Sequence, residues 1–218
     1  MNVEKIISQD LPTLIPNDTV DTALQYMEDW KVQHLAVVDG VRLLGVVEES
    51  GLLGFDEETT RISEVPMLDY KVFPAQHVYE VIELFADFKL TTLPVVEPDG
   101  TYRGEISLRS LVDYFAEMQS VRAEGSIIVL EMNDVDYSLA TLARLIEEND
   151  AKVLSSSIAS LDDSRRIHVS LKINKTEISA IVQTLQRFDY SVMAFFDAPT
   201  LEDDLRRRYD ELMRYLDI

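Results

Sequence analysis

The chain has 218 residues, enough for one large domain or two small ones with real cores. Apolar residues make up 46% and charged residues 28%, a globular composition, and the absence of cysteine excludes disulfides, thiolate nucleophiles and cysteine metal sites. Forty acids against 20 bases give a net charge of −20, which repels nucleic acid and anionic membranes and serves either solubility or a basic partner.

The N-terminal MNVEKIISQD has no basic region and no long apolar run, so it does not read as a signal peptide. No stretch reaches the roughly 18 apolar residues of a membrane helix. A soluble cytoplasmic chain with no membrane and no nucleic-acid partner is expected. Next, Asn17 or Asp18 is placed to cap a helix, with Val20, Ala23, Leu24 and Met27 on one face. An apolar strand (LAVV), a turn at Gly40, a second strand (LLGVV) and a short helix follow.

The chain then repeats this phrase. At an offset of 58, Pro16 meets Pro74, Lys31 meets Lys89, Leu35 meets Leu93, and Val37-Val38 meets Val95-Val96. Trp30 meets Phe88, and Trp30 is expected in the core. His77 stands near the start of the second helix, whose face is Val78, Ile82 and Phe85. The second turn, Pro98-Asp99-Gly100, is longer than the single Gly40, and from there the offset is 59: Gly45 meets Gly104, Val47 meets Ile106 and Leu52 meets Leu111. An insertion confined to a hairpin turn is what a structural repeat tolerates. Neither copy closes a core alone, so the two should pack together.

Both copies resemble the cystathionine-β-synthase (CBS) domain, with its P-x-x-T/H-V helix start and its L-P-V-V-D-x-x-G-x-x-x-G-x-x-S-x-x-D-L strand–turn–strand–helix run. The resemblance covers roughly residues 1–118, as repeats 1–60 and 61–119. It implies a tandem pair of β-α sandwich repeats, a Bateman module, with two clefts that in this family commonly bind adenosine compounds. The family pattern puts a hydroxyl and an aspartate at the start of the last helix, for phosphate and ribose. The first copy has Glu48 and Gly51 there, and Glu48 and Glu49 place carboxylates where phosphate would sit. Like charges about 4 Å apart repel by roughly 4 kcal/mol at an effective dielectric of 20. The second copy keeps Ser107, replaces the aspartate with Ser110, and adds Arg109 in the first helical turn. The implied ligand cleft is therefore the second, with Lys71, Val72, Phe73, Thr91, Thr92 and Pro94 as its other walls. Its ligand would be AMP, ADP, ATP or another adenosine compound, with no required cofactor. The alternative is a degenerate repeat kept for packing and dimerisation.

Beyond a break near 120–125, SIIVLEM reads as a strand, and Ser138 caps a helix bearing Leu139, Leu142, Ala143 and Ile146. Lys152–Ser160 is a strand, and Arg166–Ile173 alternates with Ile167, Val169, Leu171 and Ile173 inward. A helix with Ile178, Ile181, Val182 and Leu185 and a strand at Tyr190–Phe196 complete βαββαβ, a ferredoxin-like order over 126–197. After a CBS pair, this resembles the ACT domain, and the whole chain resembles bacterial CBS–ACT proteins of acetoin-utilisation type. ACT domains that bind amino acids use a D-x-P-G-x-L turn; here Tyr137 stands at the glycine position, where its side chain would block a ligand's approach. Side-by-side sheet pairing between subunits is the other use of such a unit. Residues 200–218 read as a helix with a Leu201, Leu205, Tyr209, Leu212 and Leu216 stripe, packing on its own chain or on a second copy.

The fold class expected is thus α+β: a tandem CBS pair, a ferredoxin-like ACT-type domain and a C-terminal amphipathic helix. Signs of catalysis are lacking: His34, His77 and His168 have no metal spacing, and no phosphate-loop glycines or nucleophile elbow occur. A non-catalytic, homodimeric regulatory protein acting on an unidentified partner is expected. The alternatives are a ligand-free module that docks a partner, and an amino-acid sensor working through the ACT-like part.

Overall fold

A computed structural model describes residues 3–161 and 165–196; the stripe expected over 200–218 lies outside them. The chain forms two compact units, Met1–Phe115 and Ala116–Ile218.

The first unit contains the repeat. Helix α1 (Val20–Trp30) leads to an antiparallel hairpin, β1 (His34–Asp39) with β2 (Arg42–Glu48), and a short α2 (Glu49–Leu52). The second copy runs α3 (Val78–Phe88), hairpin β3 (Thr92–Val96) with β4 (Tyr102–Ser107), and α4 (Leu108–Met118). The 58-residue offset holds in the hydrogen bonds as well as in the sequence. Leu14 bridges Val37 in parallel and Val72 bridges Val95, and each hairpin is irregular at the matching point, Val37/Val38 and Val95/Val96.

Helix starts are set by side chains. Thr19, not Asn17 or Asp18, caps α1: its hydroxyl accepts the Thr22 N–H at 3.2 Å. Asp18 instead accepts the Ile15 N–H at 2.8 Å, tightening the turn before the helix. His77 caps α3, its Nδ1 accepting from Tyr79 N–H at 3.2 Å, while Glu80 accepts the His77 N–H at 2.9 Å. This is a capping box, with an imidazole where serine or threonine usually stands. The C-caps also match: Lys31 and Lys89 both turn left-handed, at φ 55° and 52°.

Each hairpin has two buried faces. One goes beneath its own helices: Leu35, Val37 and Val47 pack with Val20, Ala23 and Met27. Burying such a side chain contributes about 1.5–3 kcal/mol. The other face meets the other repeat, where the Thr92 hydroxyl donates to the His34 carbonyl at 2.8 Å and the Gln33 N–H donates to the Thr91 hydroxyl at 2.8 Å. Trp30 is not in the core; it is 48% exposed. Helix α1 ends at this residue, and the turn at Lys31 leaves no further layer to cover the indole. Phe88 is exposed equally, with Tyr70 against it at 5.0 Å between ring centroids.

The second unit is β5 (Ser126–Asn133), α5 (Leu139–Glu147), β6 (Val153–Ser160), β7 (Arg166–Ile173), α6 (Ser179–Arg187) and β8 (Ser191–Phe196). The sheet order is β6-β7-β5-β8, with every pairing antiparallel. That is the ferredoxin-like topology. Strand β7 alternates as its sequence predicts, with Ile167, Val169, Leu171 and Ile173 buried against Leu142, Leu145 and Ile146 of α5 and Ile181 and Leu185 of α6. Ser138 caps α5, and Leu145 takes the inward place expected of Leu139, which is 41% exposed.

Candidate ligand-binding cleft

The end of β4 and the start of α4 are shaped by two serines. The Ser110 N–H donates to the Ser107 hydroxyl at 3.0 Å, and the Ser107 N–H donates to the Ser110 hydroxyl at 3.1 Å. The reciprocal pair fixes the first turn and directs the helix's positive end at what lies before it. What lies there is a cleft of about 920 Å³. Ser107, Leu108, Arg109, Val112 and Asp113 form one wall, Thr91 the floor, and Asp10, Leu11, Trp30, Lys31 and Val32 of the first repeat the opposite wall.

The cleft thus combines an exposed indole, two cationic side chains (Lys31 and Arg109), two carboxylates (Asp10 and Asp113) and a helix N-terminus. Thr91 is held from below: its N–H donates to His34 Nδ1 at 3.3 Å, and its hydroxyl lies 3.1 Å from the same nitrogen. Nδ1 is therefore assigned as an acceptor, with the imidazole proton on Nε2. His34 is buried, and burial holds its pKa below the usual value against the opposing pull of Glu48.

Of the residues expected at this site, Thr91, Ser107 and Arg109 line the cleft, and Ser110 sits behind it in the cap. Thr92 and Pro94 are buried in β3, and Val72 is buried where it bridges Val95. Lys71 and Phe73 line a different cavity of about 280 Å³, with Leu43, Leu44, Glu97 and Asp99, and Lys71 pairs with Asp69. The register explains the separation. Ser107 pairs with Thr92 at one end of β3, whereas Val72 bridges Val95 three residues on, about 10 Å away at the rise of a strand. The wall facing Ser107 comes from the other repeat, and residue-by-residue reading of one copy gives no sign of it.

The first repeat ends differently. Glu48 stands at the N-cap of α2 with no side-chain cap bond, Glu49 follows, and the helix has only 4 residues.

Sequence reading also passed over Glu105. It is fully buried on β4, facing the first repeat. Its Oε1 accepts the Ala36 N–H at 3.3 Å, and Oε2 has no hydrogen-bond partner among the described residues. Burial pushes its pKa up to about 7, against the opposing pull of the Ala36 N–H and then of the neighbouring Thr92 and Tyr102 hydroxyls. The signal in the sequence was a charged residue in mid-strand, Gly-Glu-Ile, where the first copy has Gly-Val-Val.

In the second unit, the Asp134–Asp136 turn precedes Tyr137, whose ring packs against the unit's core. A polar cavity of about 520 Å³ lies beside it, lined by Glu131, Asp136, Arg166, Asp189 and Tyr190 among others. Arg166 and His168 both approach Glu131, the latter at 3.4 Å. Among the described residues no group of His, Asp or Glu is placed to hold a metal ion, and no helix is long and apolar enough to cross a membrane.

The family model of the CBS domain matches residues 3–58 and 62–117. Inosine-5'-monophosphate dehydrogenase of Methanocaldococcus jannaschii is 26% identical over 130 residues, 58% of this chain and 26% of that protein. An uncharacterized protein of the same organism is 40% identical over 53 residues, 24% of this chain and 28% of that one. The chain thus spans about a quarter of the length of these curated relatives. Among solved structures, a CBS domain pair/ACT domain protein of Thermotoga maritima aligns with a TM-score of 0.49 at 26% identity, over 54% of this chain and 98% of that one.

Proposed function

This chain belongs to the CBS-domain family, and from that premise we propose that it is a non-catalytic regulatory module whose second repeat takes an adenosine nucleotide. The observation that carries the reading is the composition of the 920 Å³ cleft, where Trp30, Lys31, Arg109 and the start of α4 meet. An exposed indole offers a base a stacking surface, and base–aromatic stacking contributes about 1–3 kcal/mol per base. The Arg109 guanidinium and the positive end of α4 attract phosphate. Asp10 or Asp113 is an acceptor for ribose hydroxyls. The ligand biases the module only as far as it binds one arrangement better than another. We read the ferredoxin-like unit as ACT-type, the assembly as a homodimer, and the output as contact with a regulated protein.

A second reading is a ligand-free docking module. It is favoured by the apolar groove of about 470 Å³ between α3 and α4, lined by Ile82, Phe85, Leu111 and Phe115.

Thermal shift and calorimetry with AMP, ADP and ATP separate the two. A nucleotide at 100 times its Kd should add about 2.7 kcal/mol of stability. Trp30→Ala should weaken that binding about tenfold, the effect of losing one stacked base, while Phe88→Ala, at the matching position, should leave it unchanged. Undiminished binding by Trp30→Ala removes the cleft assignment, and no response to any nucleotide transfers the weight to docking.

A further inference from the structure

Glu105 and Ala36 make the two repeats unequal partners. The carbonyl of Ala36 accepts from Leu14, and its N–H, on the same open edge of β1, is taken by Glu105 across the repeat boundary. The residue matching Ala36 at the 58 offset is Pro94, which has no N–H, and the residue matching Glu105 at the 59 offset is Val46. In one direction an N–H and a carboxylate join the repeats; the matching positions in the other direction are proline and valine, which offer neither. The carboxylate is fully buried with one oxygen unpaired. Two residues further along the same face of β4 lies Ser107, in the wall of the nucleotide cleft.

We propose that Glu105 binds a proton together with the cleft's anionic ligand, so that occupancy of the cleft is coupled to the proton at the contact between repeats. This inference rests on the nucleotide reading above. Glu105 lies one strand pleat, about 7 Å along the backbone, from Ser107. A phosphate held there places negative charge near a buried carboxylate with little water between them. Ligand and ionised Glu105 therefore oppose each other, and ligand and protonated Glu105 favour each other by reciprocal linkage. The ordinary pKa of Glu105 in this site, about 7, puts the exchange in the physiological range.

The groups around Glu105 do not take over this role. On its own strand, Tyr102 is held un-ionised by burial and by Glu105 itself. On β1, burial lowers the pKa of His34 and so favours its neutral form, against the opposing pull of Glu48. From β3 come Thr92 and Pro94, and from the leading segment the backbone of Ser8, none of which titrates.

The test is AMP affinity by calorimetry at pH 6 and pH 8.5, in wild type and Glu105→Gln. Ionisation of the AMP phosphate is common to both proteins and cancels in the ratio of their Kd values. Wild type should lose affinity relative to Glu105→Gln by about fivefold or more across this range, the low end of ordinary coupling between sites. Should Glu105→Gln fail to fold, wild type alone suffices. At pH 8 AMP is already a dianion, and titrations in buffers of different ionisation enthalpy should show proton uptake by the protein. An unchanged ratio, or no proton uptake at pH 8, overturns the coupling and leaves the cleft assignment standing. No AMP, ADP or ATP binding at any pH overturns the cleft reading and this inference with it.

Discussion

The two repeats of the first unit share a backbone and place different chemistry on it. The first ends its hairpin in Glu48 and a helix of 4 residues; the second ends in Ser107 and a helix of 11. A helix end attracts an anion best when the helix runs over several turns and no carboxylate stands at its N-cap. The second repeat meets both conditions and the first meets neither. Yet the first is not idle, because Trp30 and Lys31 supply the wall opposite Ser107. One copy supplies the helix end and the other the surface it faces.

The largest effect expected from this comparison is at matched glycines. Gly104 has φ +139°, and a Cβ there would lie 2.5 Å from the Ser8 carbonyl oxygen. Gly104→Ala should cost about 3 kcal/mol or more in a urea melt, from backbone strain and a clash with rigid backbone. At Gly45 the added Cβ meets Met67 Cβ at 2.8 Å and the Leu68 carbonyl oxygen at 3.1 Å, but in a backbone open to any residue. Gly45→Ala should cost about 1–2 kcal/mol. Equal losses would mean that the repeats are more alike than their backbones indicate.

Next comes the proton at Glu105, which has no counterpart at Val46. Its folded pKa, about 7, stands above the usual carboxylate value of 4.5. Its stabilising contribution is therefore complete below pH 4.5 and is lost as pH rises through 7. Without ligand, wild type should lose about 3 kcal/mol relative to Glu105→Gln between pH 4.5 and pH 8, at 1.36 kcal/mol per pKa unit. Parallel pH–stability curves for the two proteins would show that water reaches the carboxylate.

The smallest effect is at the left-handed caps. Lys31→Gly and Lys89→Gly should each add about 1 kcal/mol, by relieving the same backbone strain. Only Lys31→Gly should also weaken AMP binding, since Lys89 lies in the apolar groove rather than the cleft.

The repeat itself was legible because its evidence is spacing. Two offsets joined by one turn insertion fixed the hairpins, and the alternation of Arg166–Ile173 fixed β7 with its buried face. Residues whose role depends on the opposing repeat were not. Trp30 is large and apolar, which reads as core, but its exposure is set by where α1 stops and what stands across from it. Lys71 and Phe73 follow the helix-start pattern of their own copy, and nothing in that pattern reveals that the partner wall belongs to the other copy. Asn17 and Asp18 are good capping residues in type; the helix simply begins one residue later, at a threonine. Glu105 passes unnoticed in the sequence, since its charge in mid-strand acquires a meaning only from the position of Ala36.

Proline at position 94 bears on how copies of this protein avoid one another. If hairpins from two separate chains met second repeat to second repeat, each Glu105 would face Pro94 instead of Ala36. A buried carboxylate that loses its single N–H costs on the order of 1–3 kcal/mol or more. Such a mismatched encounter forfeits that amount twice, whereas the two halves of one polypeptide satisfy the bond at once. A single missing amide hydrogen thereby makes a first repeat, rather than another second repeat, the better partner for each second repeat.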